Sequence, residues 1–325
     1  MSNMDIVLGI DIGGTNTAFG FVDREGMIIA EAAMGTNASD GVEEFVSRLH
    51  RHIEDLRLDL PPFHQLRGIG IGAPNANYYR GTVEKAVNLN WGKIVDFKGL
   101  IRRYYDLPVA ITNDANIAAI GEMLFGNARG MKHFLVITVG TGLGSSIVVD
   151  GRVLYGYSGF AGEIGHSTVD PEGRPCRCGK KGCLETYVSA TGLIKTALTL
   201  LTERQEPSPL KVMSRHEITA EKIHEWAKAG DVLSLEAFDR TARILGMKLA
   251  DAVAHTSPEA IFIVGGMAKS GDLLLKPTRR YMEDFLFTAY KGTVKLMLSG
   301  MKTGKSAILG AAALIWGELE NQKLY

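Results

Sequence analysis

The sequence of 325 residues has no excess of either charge: 36 Lys and Arg stand against 36 Asp and Glu, for a formal net charge of zero. A dedicated nucleic-acid binder needs a basic face that releases counterions from phosphates. A polybasic membrane anchor needs clustered Lys and Arg. Neither nucleic acid nor membrane is therefore expected as a partner. Cysteine is scarce too: the three present are an odd number, which disfavours a fully paired secreted framework. A chain this long buries enough surface to need no disulfides. Long apolar runs are missing. No stretch approaches the roughly 20 apolar residues of a membrane helix. The opening MSNMDIVLGIDIGG has no basic n-region, and its apolar run is too short for a signal peptide. A cytoplasmic location is the default expectation. What remains is a globular composition, 46% hydrophobic and 22% charged, with length for about two domains at roughly 150 residues each.

The run Ile6 to Ile12 is short and β-branched, as a buried strand should be; Gly13-Gly14 breaks it and Ala18 to Val22 resumes it. Residues 39–57 place Val42, Phe45, Val46, Leu49, Ile53 and Leu56 at helical spacing, with Ser39 as the expected N-cap and Pro61-Pro62 closing the region. Leu66 to Ile71 reads as a strand ended by Gly72-Ala73-Pro74. Pro108 to Thr112 reads as another, leading into Asn113-Asp114 and a helix from Asn116 to about Phe125. The stretch from His133 to Leu154 then repeats the outline of the N-terminus: apolar strand, glycine-rich turn, apolar strand, polar turn. A unit recurring after a domain's length points to duplicated halves. Residues 156–186 read as an ordered loop, and 187–260 as mainly helical. From Val232 to His255, Leu233, Leu235, Phe238, Ala242, Leu245, Leu249 and Val253 make one apolar stripe; 202–218 reads as a surface excursion. Strand Ala260 to Val264 ends in Gly265-Gly266, and Ala307 to Leu319 is a C-terminal helix. Alternating strands and helices imply an α/β architecture.

Four features carry chemistry. In Asp11-Ile-Gly-Gly-Thr-Asn, Gly13 and Gly14 at a strand end let backbone N–H groups approach an anion; Thr15 adds a hydroxyl, and Asp11 is placed to hold hydrated Mg²⁺ near phosphates. The same residues also suit an ordinary hairpin turn. Gly140-Thr141-Gly142-Leu143-Gly144 follows a second strand; it is not the dinucleotide fingerprint, because the third glycine has the wrong spacing and no helix follows. One such hairpin per half could hold a triphosphate from both sides. Gly304-Lys305-Ser306 imitates the end of a P-loop, but the required glycine position is Ser299, so it reads as a loop. Asn113-Asp114 puts a carboxylate at a strand end, where it serves equally as a base or as part of a helix cap.

The fourth feature is Glu163-Ile-Gly-His166 followed by Cys176-Arg-Cys178-Gly-Lys-Lys-Gly-Cys183-Leu-Glu185. Three cysteines in C-x-C-x₄-C spacing, with His166 ten positions upstream, form a Cys₃His set, a closed tetrahedral arrangement for structural Zn²⁺. Unrelated reduced thiols are the alternative, and the clustering argues against it. Glu163 and Glu185 flank the set. Held rigidly, their carboxylates can accept from adjacent hydroxyls of a polyol.

In this order the pieces resemble the ROK family of sugar kinases and sugar-responsive repressors, and within it the bacterial glucokinases. The likeness runs from Asp11 to the C-terminal helix, and C-x-C-G-x-x-G-C-x-E at Cys176–Glu185 is its most specific element. The resemblance implies a duplicated actin-like (ribonuclease H-like) ATPase fold, with two α/β domains around a cleft. The expected division is 1–115 plus 307–325 against 116–306, with crossings near 113–120 and 300–306. It implies phosphorylation of a hexose at its 6-hydroxyl from ATP with Mg²⁺, glucose being the first expectation. Asp114 would be the general base. Asn90, Asn113, Asp114, Glu163, His166 and Glu185 would bind sugar. His166, Cys176, Cys178 and Cys183 would bind zinc. Asp11, Gly13, Gly14, Thr15, Asn16, Thr141 and Gly142 would serve the phosphates, and Gly265-Gly266 the adenosine side. A homodimer or homotetramer is implied. N-acetylmannosamine, N-acetylglucosamine, allose or fructose as substrate, and polyphosphate as donor, stay open. A repressor would need a helix-turn-helix ahead of Asp11, and the ten preceding residues leave no room for it. Two positions depart from the family pattern: Asn75 replaces a common glycine after Pro74, and Met267 replaces a third glycine after Gly265-Gly266.

Overall fold

The computed structural model of the chain describes residues 4–86, 89–301 and 306–321. Two compact units are present: Met1–Gly130, Val153–Ala161 and Gly300–Tyr325 form one, and Met131–Arg152 with Gly162–Ser299 the other.

In the first unit, β1 (Met4–Ile12) pairs antiparallel with β2 (Asn16–Val22), and β2 with β3 (Ile28–Gly35). On its other side β1 runs parallel to β4 (His64–Gly72), which pairs with a fifth strand, Val109–Thr112. A small separate sheet joins β5 (Ala76–Asn77), β6 (Thr82–Glu84) and β7 (Ile94–Val95), so Val109–Thr112 is β8. The helices are α1 (Val42–Leu58), α2 (Phe97–Arg102), α3 (Asp114–Phe125) and the C-terminal Ser306–Asn321. Strand alternation sorts β1 onto two cores. Ile6, Leu8, Ile10 and Ile12 pack with Phe45, Leu49 and Ile53 of α1. Val7 faces Ile308, Ala311, Ala312 and Ile315 of the C-terminal helix. That helix lies on the sheet because Gly9 and Gly70 carry no side chain: a Cβ there would collide with the carbonyls of Ile308 and Ala311.

The second sheet has the strands β9 (Phe134–Val139), β10 (Leu143–Val149), β11 (Arg152–Val153), β12 (Ala260–Val264) and β13 (Lys295–Leu298). Its order β11-β10-β9-β12-β13 matches β3-β2-β1-β4-β8 place for place. In each sheet the first strand meets its hairpin partner antiparallel and the next two strands parallel. The duplication expected from the glycine-turn repeat is therefore a repeat of topology. Helices α4 (Ala190–Glu203), α5 (Ala220–Lys228), α6 (Val232–Thr256) and α7 (Asp272–Phe285) complete this unit, and Ser306–Asn321 is α8. No helix among the described residues is long and apolar enough to cross a membrane.

Several local expectations change. Ser39 does not cap α1: residues 38–40 form a 3₁₀ turn in which its hydroxyl donates to Asp40, and Gly41, at φ 85°, is the N-cap. Helix α3 starts at Asp114, because Asn113 caps it. The first unit keeps all of α3 rather than ending at 115, because Ile117 and Ile120 share one apolar cluster with α8. Leu235 leaves the α6 stripe and is 38% exposed, whereas Leu210 and Ile218, in the expected surface excursion, are buried. Gly304 and Lys305 of the P-loop imitation, and most of the crossing expected at 300–306, lie outside the described residues.

Candidate functional site

The first group of residues sits at the carboxyl ends of the parallel strands, where open α/β sheets present ligand-binding groups. Asp11 pairs in register with Gly72, and Gly72 with Thr112, so the ends of β1, β4 and β8 are level. Asn113-Asp114 follow directly. Asn113 Oδ1 accepts the Asn116 amide at 2.7 Å, and Asn116 Nδ2 donates to Thr112 Oγ1 at 3.0 Å. This fixes the turn and puts Asp114 in the first turn of α3, with Oδ1 accepting from the Ala115 amide at 2.9 Å. Capping and a carboxylate at the strand end thus coexist, on adjacent residues. Burial, and then the charge of Asp114, push the Asp11 carboxyl up to about 6. Two carboxylates converge here, and a cation between them would relieve both.

The glycine hairpin beside Asp11 is tied at its base. Gly13 N–H donates to the Asn16 carbonyl at 2.9 Å, while Thr36 donates through Oγ1 to Gly13 O and through its amide to Thr15 O, both at 2.8 Å. Gly14, Thr15 and Asn16 are left exposed at the tip. Asn90 is also exposed; its neighbour Trp91 is buried and stacks on Phe97 with an interplanar angle of 9°, which anchors the loop. Asn75, the replacement for the family's glycine, has φ 52°. That left-handed turn explains the glycine, and asparagine is the side chain that tolerates it best.

In the second unit the Gly140–Gly144 hairpin closes with Gly140 N–H on Gly142 O at 2.9 Å, and Thr141 is exposed at its tip. At the end of β12, Gly265 has φ 98°, and a Cβ there would lie 2.7 Å from the Val139 carbonyl, so β12 can turn beside the hairpin only through glycine. Gly266 opens the following 3₁₀ turn, and Met267 is buried within it. Glu163 precedes the 3₁₀ turn Ile164–His166 and is exposed. Ser145 braces it on both sides: its hydroxyl donates to Gly162 O and accepts from Ile164 N–H. Glu185 lies in the 3₁₀ turn Leu184–Thr186, and its Oε2 accepts the Leu143 amide at 3.0 Å.

His166, Cys176, Cys178 and Cys183 come together, with their donor atoms all within 4.8 Å of one another. Tetrahedral Zn²⁺, with bonds of about 2.3 Å to sulfur and 2.0–2.1 Å to nitrogen, sets donors roughly 3.5–3.8 Å apart. Cys178 and Cys183 Sγ are 3.5 Å apart, and Cys176 Sγ is 3.7 Å from His166 Nδ1. Burial and the neighbouring sulfurs push the Cys183 thiol up to about 12. A divalent cation held by the cluster would offset that shift, since it favours the thiolate it binds. Bridges Thr168–Cys183 and Pro175–Lys181 shape the loop, and Gly182, at φ 67°, admits the Asp170 carbonyl where a side chain would stand.

Asp11 and Asn113 lie at strand ends, Asp114 in the first turn of α3, Gly13–Asn16 and Thr141–Gly142 in hairpins, Gly265-Gly266 after β12, Asn90 in a loop, and Glu163 and Glu185 at 3₁₀ turns beside the thiol cluster. No pattern in the sequence marks Thr36 or Ser145, hydroxyls that fix the loops from distant positions. Only the fold brings them there.

The ROK family profile matches residues 7–318. The glucokinase of Halalkalibacterium halodurans is 39% identical over 285 residues, covering 86% of this chain and 85% of its own. The xylose repressor of Caldicellulosiruptor bescii is 29% identical over 321 residues, covering 98% of this chain and 80% of its own. A solved ROK family glucokinase from Streptomyces griseus, in complex with glucose and AMPPNP, is 32% identical with a TM-score of 0.80, covering 95% of this chain and 98% of that one.

Proposed function

The chain belongs to the ROK family, and on that premise we propose that it transfers the γ-phosphoryl group of ATP to the 6-hydroxyl of glucose. The observation that carries this reading is Asp114 in the first turn of α3, beside Asp11 and the glycine hairpin, at the ends of the parallel strands. Asp114 accepts the hydroxyl proton. A carboxylate is a weak base for an alcohol, which is sufficient because phosphoryl transfer is loose and the proton leaves late. Most of the rate then comes from positioning and fixed donors. Asn90, Asn113, Glu163, His166 and Glu185 hold the sugar hydroxyls. Because Asn113 Oδ1 is committed to its cap, its Nδ2 is the atom assigned to a hydroxyl. The hairpins at Gly13–Asn16 and Thr141–Gly142 supply amides and hydroxyls to the phosphates, and Gly265-Gly266 borders the adenosine.

Magnesium bound with ATP supplies charge neutralisation at the phosphates, and Asp11 would hold its hydration shell. Zinc on His166, Cys176, Cys178 and Cys183 supplies loop rigidity; four protein ligands leave it no open position for chemistry. Thiols that serve as ligands must stay reduced, which supports a cytoplasmic setting. The family likeness supports a homodimer or homotetramer, which light scattering in solution measures.

A coupled ATP-turnover assay across glucose, mannose, fructose, allose and the N-acetyl sugars tests the substrate. Asp114→Asn should still bind glucose and lose at least about two orders of magnitude in turnover. Near-normal turnover in that variant would remove Asp114 from the mechanism. The repressor match favours one second reading, a sugar-responsive regulator, which an operator-binding assay tests.

A further inference from the structure

Glu185 touches more than the sugar side of the proposed site. Its Oε2 accepts the amide of Leu143, the residue that closes the Gly140–Gly142 tip. Two further ties run from the same short segment to the same hairpin: Ala190 N–H donates to Gly140 O at 2.8 Å, and Thr191 Oγ1 to Thr141 O at 3.1 Å. The segment is itself held at both ends. Cys183, two residues before Glu185, belongs to the thiol cluster, and Ser189 Oγ donates to the Glu185 carbonyl at 2.7 Å while capping α4. Of the three ties, only the one from Glu185 is made by a charged group that a ligand could also engage.

We propose that Glu185 is a positioning residue that couples sugar occupancy to the phosphate hairpin: one carboxylate oxygen holds the Leu143 amide while the other takes a sugar hydroxyl. This rests on the kinase reading for its ligands, but not for the contact itself. A hydroxyl donated to one oxygen fixes the side chain's χ angles, and so removes the freedom by which the other oxygen could leave the amide. Sugar binding thereby orders the Thr141–Gly142 tip before the triphosphate arrives, and by linkage the nucleotide tightens the sugar by the same factor. Glucose is expected to tighten AMPPNP roughly tenfold in the unmodified protein, toward the low end of such couplings.

Two measurements on the zinc-loaded full chain test this. The first is amide hydrogen exchange at residues 141–144 without ligand. Glu185→Ala and Glu185→Asp should speed it, the latter because one fewer methylene withdraws the carboxylate while keeping its charge. Glu185→Gln, whose carboxamide oxygen still accepts, should restore protection. The second is calorimetric titration of AMPPNP with and without glucose. Glu185→Ala and Glu185→Asp should bind AMPPNP equally in both, with zinc content unchanged. Unchanged exchange at 141–144, or a coupling factor that survives Glu185→Asp, would overturn the proposal. If AMPPNP bound to none of the proteins, the kinase reading would fall, and the exchange result would still decide the contact between Glu185 and the hairpin.

Discussion

Asp11 is the residue at which folding and function pull in opposite directions. Burial, with the Asp114 charge behind it, raises its carboxyl from 3.8 to about 6. A raised acid binds more protons folded than unfolded, so its contribution to stability is favourable at low pH and is lost as pH rises. Below pH 3.8 both states are protonated and nothing is lost. Above about 6 the folded state carries the full burden of a buried anion, about 3 kcal/mol for a shift of that size at 1.36 kcal/mol per unit. Asp11→Asn should therefore be more stable than the parent by about 2–3 kcal/mol at pH 7 without nucleotide or magnesium, with the gain gone near pH 3.5. Denaturant unfolding of both proteins across that range measures it; a gain independent of pH would mean that packing, not charge, sets the difference. The same variant should lose magnesium-dependent turnover, the trade expected where a site keeps an unfavourable group for its chemistry.

At the scale of elements, the contact of α8 with the first sheet depends on two strand glycines. A methyl at residue 70 would enter the Ala311 carbonyl, and backbone cannot give way as a side chain can. Gly70→Ala should cost about 2–3 kcal/mol, at the upper end of overpacking, whereas Gly41→Ala has open space around it and is limited by its φ of 85° alone. Chemical unfolding that ranks the two equally would discount the close approach of α8. Gly9 and Gly70 also show where sequence reading stops. The strands β1, β4, β9 and β12 were legible because each is a short β-branched run cut by glycine, and β8 because Pro108 and Asn113-Asp114 bound it. The C-x-C-x₄-C loop was legible because ligand spacing is local. The partner of a strand glycine was not, since α8 lies over 200 residues away in the chain. The end of the first domain stayed hidden for the same reason: Ile117 and Ile120 read as an ordinary helix face until α8 supplies the other side. Leu210 was missed because a single buried leucine in a polar stretch has no period to detect.

At the scale of the molecule, the two units carry separate cores. One apolar cluster runs through β9, β12 and α4 to α7, and two others are confined to the first unit. The four candidate zinc ligands all fall in the second unit. A metal that binds only folded protein stabilises the unit that holds it. Chelation of the zinc-loaded protein should therefore lower the unfolding temperature of the second unit and speed amide exchange across residues 162–192, while exchange in β1, β4 and α8 stays at its original rate. Cys178→Ser should reproduce the pattern without chelator and bind less than one zinc per chain by elemental analysis. It should also weaken glucose, because Glu163, His166 and Glu185 lose their common support. The duplication gives this experiment its internal control: both units have the same strand order, so a general effect of chelator on such a sheet would appear in both. A uniform loss of protection in the two units would assign the metal to the molecule as a whole, and protein active with no zinc bound would remove it from the site.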